Sequence, residues 1–182
     1  MTILNPNELK AFLDTKVIQY NTPNFIGSDP LQIPHRYVSK EDIEISGFLT
    51  ATIAWGNRKS IINNAKHLMT LMDDAPYQFV MQHQPKDLES LNSFVHRTFN
   101  GLDCIQFMES LKYIYTQHNG LEGVFNTYAE EDSLQRAIHH LKQHFFEIDH
   151  LQRTQKHISD PLKKSAAKRI NMFLRWMVRP ND

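Results

Sequence analysis

Ile43-Glu-Ile-Ser-Gly-Phe-Leu-Thr-Ala-Thr-Ile-Ala-Trp55 is the stretch of sequence that decides the fold of this chain. Drawn as a helix, it carries apolar side chains on nearly every side: Ile45, Phe48, Leu49, Ala51, Ile53, Ala54 and Trp55. A helix that is hydrophobic all round lies inside a protein. We therefore predict a central, buried helix, preceded by a capping pattern at Ser39 and Asp42 and ended by Gly56-Asn57.

Segments with helical periodicity lie on both sides of this central helix. Asn5-Pro6-Asn7-Glu8 combines a capping side chain, a first-turn proline and an early acid, which predicts a helix after it. Further helices are predicted over 58–73, 76–83, 102–118, 121–128, 133–148 and 162–178. Residues 21–38 form a long connector whose apolar side chains should pack on the body. Because strand alternation is nearly absent, we predict an all-α, multi-helix globular protein in which residues 1–182 form one domain.

The composition is that of a globular protein. Of the 182 residues, 41% are apolar and 22% are charged, and no apolar run is long enough to span a bilayer. The first ten residues lack the pattern of a signal peptide. Cys104 is the only cysteine, which excludes an intramolecular disulfide, a four-cysteine zinc site and an iron–sulfur cluster. These features predict a soluble cytoplasmic protein without a membrane partner.

The charges are distributed unevenly along the chain. Residues 151–182 hold eight basic and two acidic residues, whereas residues 1–150 hold twelve basic and eighteen acidic residues. Such asymmetry indicates either an anionic partner, such as duplex DNA, or docking of the basic segment on the acidic body. On the last predicted helix, one face carries a row of polar and basic residues that matches a phosphate backbone or solvent equally well: Lys164, Lys168, Asn171, Arg175 and Arg179.

One group of potential metal ligands lies within a single predicted helix. His140, His144 and Glu147 are spaced at i, i+4 and i+7, so they share a helix face, and two imidazoles with a carboxylate can hold a metal. A polar helix face explains the same spacing, and we assign neither a metal nor a cofactor from the sequence. The sequence also lacks a Gly-x-Ser-x-Gly elbow and a glycine-rich phosphate loop.

Lys168-Arg-Ile-Asn-Met-Phe-Leu-Arg-Trp-Met-Val-Arg179 closely resembles the signature of an uncharacterised bacterial family, domain of unknown function 2400. Other stretches resemble that family too: Pro23-Asn-Phe25 with Asp29-Pro30, Asp42-Ile-Glu44-Ile45-Ser-Gly47-Phe48, Ala54-Trp-Gly56-Asn-Arg58 and Phe94-Val-His96-Arg97. These matches are spread over the whole chain and imply membership of the family, which brings no established activity with it.

A second resemblance, to the helix-hairpin-helix DNA glycosylases, bears on chemistry. Residues 48–68 are similar to an early helix pair of that superfamily, in which the loop Gly56-Asn57-Arg58 would face DNA. Lys168 falls where bifunctional members carry their Schiff-base lysine. The resemblance implies a DNA-binding, glycosylase-like repair protein that acts on a flipped base. Lys168 would be catalytic, and nucleic acid would be contacted by Arg58, Lys164, Arg169, Arg175 and Arg179.

The chain departs from the glycosylase pattern in two places. Asp160-Pro-Leu-Lys-Lys164 replaces the Leu-Pro-Gly-x-Gly turn of the hairpin. The superfamily's catalytic aspartate, in a Pro-x-Asp-x-His setting, should follow Arg179, yet the sequence ends at Asp182. We therefore expect a C-terminally truncated member with impaired enzymatic activity.

Three further expectations follow from these interpretations. The alternative to an enzyme is a non-catalytic helical module that binds nucleic acid or a protein partner. Residues 56–58 should border the main cleft, with Arg58 contacting phosphate or pairing with an acid such as Glu44. If a missing segment normally covers the last helix, Met172 and Trp176 are left exposed, and the chain is then less stable than its relatives or forms a weak homodimer around Trp176.

Overall fold

The computed structural model describes residues 5–179, and most of this part of the chain is helical. Its α-helices are α1 (Pro6–Tyr20), α2 (Pro23–Ile26), α3 (Lys40–Thr52), α4 (Arg58–Leu71), α5 (Pro76–Gln82), α6 (Gly101–Gln117), α7 (Gly120–Tyr128), α8 (Gln135–Phe145) and α9 (Lys168–Met177). The predicted all-α, multi-helix fold is confirmed. No helix within residues 5–179 has the length and apolar character needed to cross a membrane.

Short elements join the helices. Single turns or short runs of 3-10 helix occupy Pro30–Gln32, Pro34–Arg36, Asp87–Ser93, Gln152–His157 and Pro161–Lys163. A two-stranded antiparallel hairpin consists of β1 (Val95–His96) and β2 (Phe99–Asn100), with Val95 opposite Asn100 and His96 opposite Phe99. The sequence did not predict this hairpin, because each strand is only two residues long and shows no alternation.

The central helix is α3, as predicted. Every residue from 44 to 52 is buried. Ser39 caps its first turn by accepting a hydrogen bond from the backbone N–H of Asp42. The ring of Phe48 contacts three other helices, with centroid distances of 6.0 Å to Phe107 of α6, 5.7 Å to Phe145 of α8 and 5.6 Å to Phe173 of α9. α3 therefore joins α6, α8 and α9 into one core.

Helices α3 and α9 pack antiparallel. A Cβ on Gly47 of α3 would lie 2.8 Å from Cε of Met177, at the end of α9. Arg169, at the start of α9, instead reaches Thr52 at the end of α3. The start of α9 thus lies beside the loop that follows α3, which positions the site described below.

The last helix is shorter than predicted. We expected a helix over 162–178, but residues 161–163 form a 3-10 turn and α9 begins only at Lys168. Lys164 and Ala167 both have left-handed backbone conformations, with φ of 63° and 44°, which an α-helix cannot contain. The expected exposure of Trp176 is also wrong, since this side chain is only 8% exposed and Met172 is half-buried. The reason for expecting a dimer there is thereby removed.

Helix α1 and the connector behave differently. Asn5 caps α1 as predicted and forms a capping box with Glu8, but within the described residues none of the side chains of α1 is buried. Its apolar stripe, including Phe12 and Leu13 at 51% exposure each, faces solvent. The connector 21–38 packs on the body as predicted, with Leu31 and Ile33 buried, although it contains α2 and two 3-10 turns.

Candidate nucleic-acid interface

The loop between α3 and α4 comprises residues 53–57 and includes Trp55, Gly56 and Asn57. Asn57 caps α4 by accepting a hydrogen bond from the N–H of Ser60 at 3.2 Å. Gly56 has a φ of +107°, a conformation that is strained for residues with a side chain. A Cβ at Gly56 would lie 2.7 Å from Nε of Arg97. The glycine therefore permits both the sharp turn and the close approach of an arginine from the β1–β2 hairpin.

His96 fixes the hairpin to the same loop. Its Nε2 lies 3.3 Å from the carbonyl oxygen of Trp55 and its Nδ1 lies 2.8 Å from the amide nitrogen of Asn64. A carbonyl only accepts, so Nε2–H donates to Trp55 and the neutral Nδ1 accepts from Asn64. Burial lowers the pKa of His96, and the adjacent Arg97 also acts in this direction. A neutral imidazole thus positions the turn that carries Arg97.

Arg169 connects α9 to the loop from the opposite side. Its guanidinium lies 4.9 Å from the centroid of the Trp55 ring. It donates hydrogen bonds to the carbonyl oxygens of Thr52 and His157. The Thr52 carbonyl belongs to the last turn of α3, where backbone acceptors lack helical partners. Arg169 was predicted to contact nucleic acid; the structure places this side chain half-buried between two backbone segments, where burial lowers its pKa.

A buried polar network supports the loop from below. Asp103, in the first turn of α6, is fully buried and accepts a hydrogen bond from Thr154 at 2.7 Å. Its other carboxylate oxygen lies 3.2 Å from Arg153 and 3.3 Å from Nε2 of His157. Burial lowers the pKa of His157 to about 4, although the carboxylate of Asp103 opposes the shift. The His157 ring, in turn, stacks on Trp55 with a centroid distance of 6.3 Å.

Lys168 and Lys164 remain at the surface. Lys168 is the first residue of α9 and is exposed, and its chain neighbour Arg169 contacts Trp55. Lys164 is exposed in the preceding turn, not on the helix face where the sequence placed it. Asn171 and Arg175 continue the exposed face of α9 that the sequence predicted.

The remaining predicted nucleic-acid residues gather around Phe25. The guanidinium groups of Arg58 and Arg179 lie 5.9 Å and 5.4 Å from the centroid of its ring. Arg179 also donates to the backbone carbonyls of Tyr20 and Thr22. Arg175 lies 3.4 Å from the side-chain oxygen of Asn21. The six predicted side chains thus form two groups, one at each end of α9.

The structure does not place Arg58 at the main groove or beside Glu44, while its contact with phosphate stays a prediction. A groove of about 650 Å³ lies between α3, α7 and α9, and residues 56–58 do not line it. Glu44, proposed as a partner of Arg58, instead accepts a hydrogen bond from Tyr115 at 2.7 Å and lies 3.9 Å from Nζ of Lys40. Burial raises the pKa of Glu44, while both neighbours oppose this shift.

The predicted ligand trio is also rearranged. His140 stacks on Tyr128 with the ring centroids 3.9 Å apart, and its ring centroid lies 6.1 Å from that of His144. His118, from the end of α6, joins His144 and Glu147 in its place. The sequence placed His140 correctly on the helix but could not show which residue of another helix lies opposite.

Sequence reasoning missed the side chains that shape this surface from the hairpin and from beneath it. Arg97, His96, Asp103 and His157 have no local pattern that indicates a role. The only available signal was the family resemblance of Phe94-Val-His96-Arg97, which the structure places directly beside the similar segment 54–58.

These features define a helical protein in which Arg97 and Arg169 approach the loop after α3 from two sides, with the exposed Lys168 at the start of α9. Residues 29–182 match the family described as "Protein of unknown function (DUF2400)", and the chain belongs to this family. Searches of the curated proteins and of the solved structures found no match.

Proposed function

We propose that this protein binds duplex DNA through the surface formed by Trp55, Gly56, Arg97 and Lys168, and that it acts on a flipped base in the manner of a DNA glycosylase. One observation carries the proposal. The exposed Lys168 starts α9 beside the loop that follows the buried helix α3, as the glycosylase resemblance implies for a Schiff-base lysine facing a DNA-binding loop.

Electrostatics supports an anionic ligand at this surface. Lys168 and Arg169 occupy the first turn of α9, where the helix dipole is positive and cations are unfavourable. Within residues 5–179, no side chain caps the N–H groups of this turn. A phosphate would compensate both cations and accept hydrogen bonds from the free N–H groups.

The basic segment is not neutralised by the acidic body. Among the basic side chains of 151–179, Arg153 alone forms an ion pair with a carboxylate in the described part of the chain. Arg169 and Arg179 donate to backbone carbonyls, which leaves their positive charge uncompensated. Docking of this segment on acidic residues was the alternative explanation for the charge asymmetry, and these contacts favour the anionic partner instead.

The proposed reaction uses the Lys168 amine as a nucleophile. Its unprotonated Nζ attacks C1′ of the flipped nucleotide, the bond between C1′ and the base breaks, and the bonding electrons leave with the base, which takes up a proton. With an abasic sugar, the amine condenses with the aldehyde and water is lost. In the first route the nitrogen then loses a proton, the C1′–O4′ bond opens and O4′ takes up a proton, so that both routes give an imine between Nζ and C1′, which borohydride reduces to a stable amine.

DNA binding is tested by fluorescence anisotropy with a labelled duplex. For three to five phosphate contacts, the association constant should fall about 40-fold to 500-fold between 50 and 200 mM salt. Arg97→Glu and Lys168→Glu should each weaken binding at least tenfold. The control is Lys112→Glu, toward the end of α6 that lies away from Asp103. This variant should change the association constant less than twofold. No binding at 50 mM salt, or an equal loss in the control, would overturn the proposal.

A non-catalytic module for a protein partner is the second candidate, and the surface of α1 favours it. Leu9, Phe12, Leu13 and Val17 are all exposed on one side of this helix. Exposed apolar stripes of this kind occur where a helix docks in a partner's groove. A duplex titration without binding would favour this protein-binding module over the DNA-binding enzyme.

A further inference from the structure

The ends of α6 and α8 bring two histidines and a glutamate together. His118 ends α6, His144 lies in the last turn of α8 and Glu147 follows shortly after. One ligand atom from each lies within 4.8 Å of the other two. Glu147 Oε1 is 2.7 Å from Nδ1 of His144, and Oε2 is 3.7 Å from Nε2 of His118. In a tetrahedral zinc site such atoms are about 3.4 Å apart, so only small adjustments are needed.

His118 supplies a second, independent observation. Its Nε2 atom is inaccessible to solvent and has no hydrogen-bond partner among residues 5–179. The nearest carboxylate oxygen, on Glu147, is 3.7 Å away, which is beyond hydrogen-bond distance. A buried polar atom without a partner costs free energy and indicates that an ion or water normally satisfies it. The lone pair of this nitrogen is available to a cation between the three side chains.

Two tyrosines form hydrogen bonds with the other two candidate ligands, His144 and Glu147. The hydroxyl of Tyr128 lies 3.0 Å from Nε2 of His144, and the hydroxyl of Tyr113 donates to Oε2 of Glu147 at 2.7 Å. Metal-ligating histidines almost always use their second ring nitrogen in this way, which fixes the tautomer and the ring orientation. In the structure Nδ1–H of His144 donates to Oε1 of Glu147 at 2.7 Å, so a metal ion that binds Nδ1 displaces this proton, and the ring then donates Nε2–H to Tyr128.

We propose that His118, His144 and Glu147 bind a Zn²⁺ ion, with the fourth position taken by water. Two imidazoles and one carboxylate form a donor set that zinc commonly uses when one position stays open. The Glu147 side chain is 41% exposed, which gives the ion and the water access from solvent. Helix α6 is about 25 Å long and separates this site from the buried Asp103 network beneath Trp55. The zinc proposal therefore does not depend on DNA binding.

The test titrates the chelator-treated full chain with zinc chloride in competition with a chromophoric chelator. We expect one ion per chain, and at least hundredfold weaker binding in His118→Gln and in His144→Gln. His140→Gln removes an imidazole one turn away on the same helix, so this matched control should change affinity less than threefold. Tyr128→Phe keeps the stacking on His140 but loses the hydroxyl, and should weaken binding about tenfold.

A thermal readout separates binding from misfolding. Zinc should raise the melting temperature of the unmodified chain and of His140→Gln, but not of His118→Gln. If the histidine variants do not fold, Glu147→Gln at its exposed position serves instead, and its zinc affinity should also drop at least tenfold. Absence of stoichiometric binding at micromolar zinc, or an equal loss in His140→Gln and His144→Gln, would overturn the proposal.

Discussion

Single residues around Trp55 determine how precisely the proposed DNA surface is shaped. Gly56→Ala should destabilise the protein by about 1–3 kcal/mol, because the +107° φ is strained for alanine and the new methyl group meets the Arg97 guanidinium. Gly27→Ala is the matched control, since nothing lies within 4 Å of a Cβ there and its φ is −61°. Urea unfolding measures both. A Gly56→Ala loss below about 0.5 kcal/mol would mean that the loop relaxes freely.

The buried His157 makes stability depend on pH. Its pKa of about 4 in the folded protein lies below the ordinary value of 6.5, so the unfolded chain binds the proton more readily. The neutral ring therefore contributes stability above pH 6.5, and this contribution is lost as the pH falls from 6.5 to 4.

Between pH 6.5 and 4, the unfolding free energy of His157→Gln should fall by about 2–3 kcal/mol less than that of the unmodified chain. Denaturant unfolding at a series of pH values measures the slope. The exposed His67→Gln controls for the loss of an imidazole. An unchanged slope in His157→Gln would show that this histidine is not held neutral in the fold.

At the scale of elements, Arg169 fastens α9 to α3. Arg169→Met removes two hydrogen bonds from a charged donor and leaves the buried Thr52 and His157 carbonyls without that partner. We expect a loss of about 2–3 kcal/mol. Arg175→Met, exposed on the same helix, should cost less than about 0.5 kcal/mol. If both variants are equally stable by urea unfolding, Arg169 does not anchor the helix and is available to DNA as the sequence suggested.

For α1, in contrast to Arg169 of α9, we expect substitutions to leave the stability of the protein nearly unchanged. Phe12→Ser and Leu13→Ser should leave the melting temperature nearly unchanged, because both side chains are about half exposed and the helix buries none of its residues in the described chain. Leu111→Ala in the core is the contrast and should cost about 2–5 kcal/mol. A large thermal shift in the serine variants would indicate that the α1 stripe is covered in solution.

Helices were predictable where periodicity and caps agree, and less so where the backbone is unusual. The apolar run predicted α3 with an end at Trp55, three residues beyond the observed end at Thr52, and the Asn5 cap predicted the start of α1 correctly. The start of α9 was misplaced because Lys164 and Ala167 adopt positive φ without being glycine or asparagine, so the sequence gives no warning of the break. The β1–β2 hairpin is held by tertiary contacts of His96, which local pattern cannot reveal.

Over the whole molecule, the candidate site was predicted in part. Lys168, Lys164 and Arg58 were chosen from resemblance and charge, and all three are exposed. The sequence did not predict that Arg169 reaches inward. Helical periodicity predicts on which side of the helix a residue lies, but not whether a long side chain there reaches solvent or a neighbouring backbone. Residues that act across elements, such as Arg97 beside Gly56 and His118 beside His144, become visible only when the fold is known.

The most direct measurement of the central claim is borohydride trapping on a duplex that contains one abasic site. We predict a covalent protein–DNA adduct that Lys168→Arg reduces more than tenfold while duplex affinity stays within about threefold. Lys164→Arg, four residues earlier and equally exposed, should still form the adduct. The account would be contradicted if no adduct forms at an enzyme concentration that saturates the duplex, or if the adduct persists unchanged in Lys168→Arg.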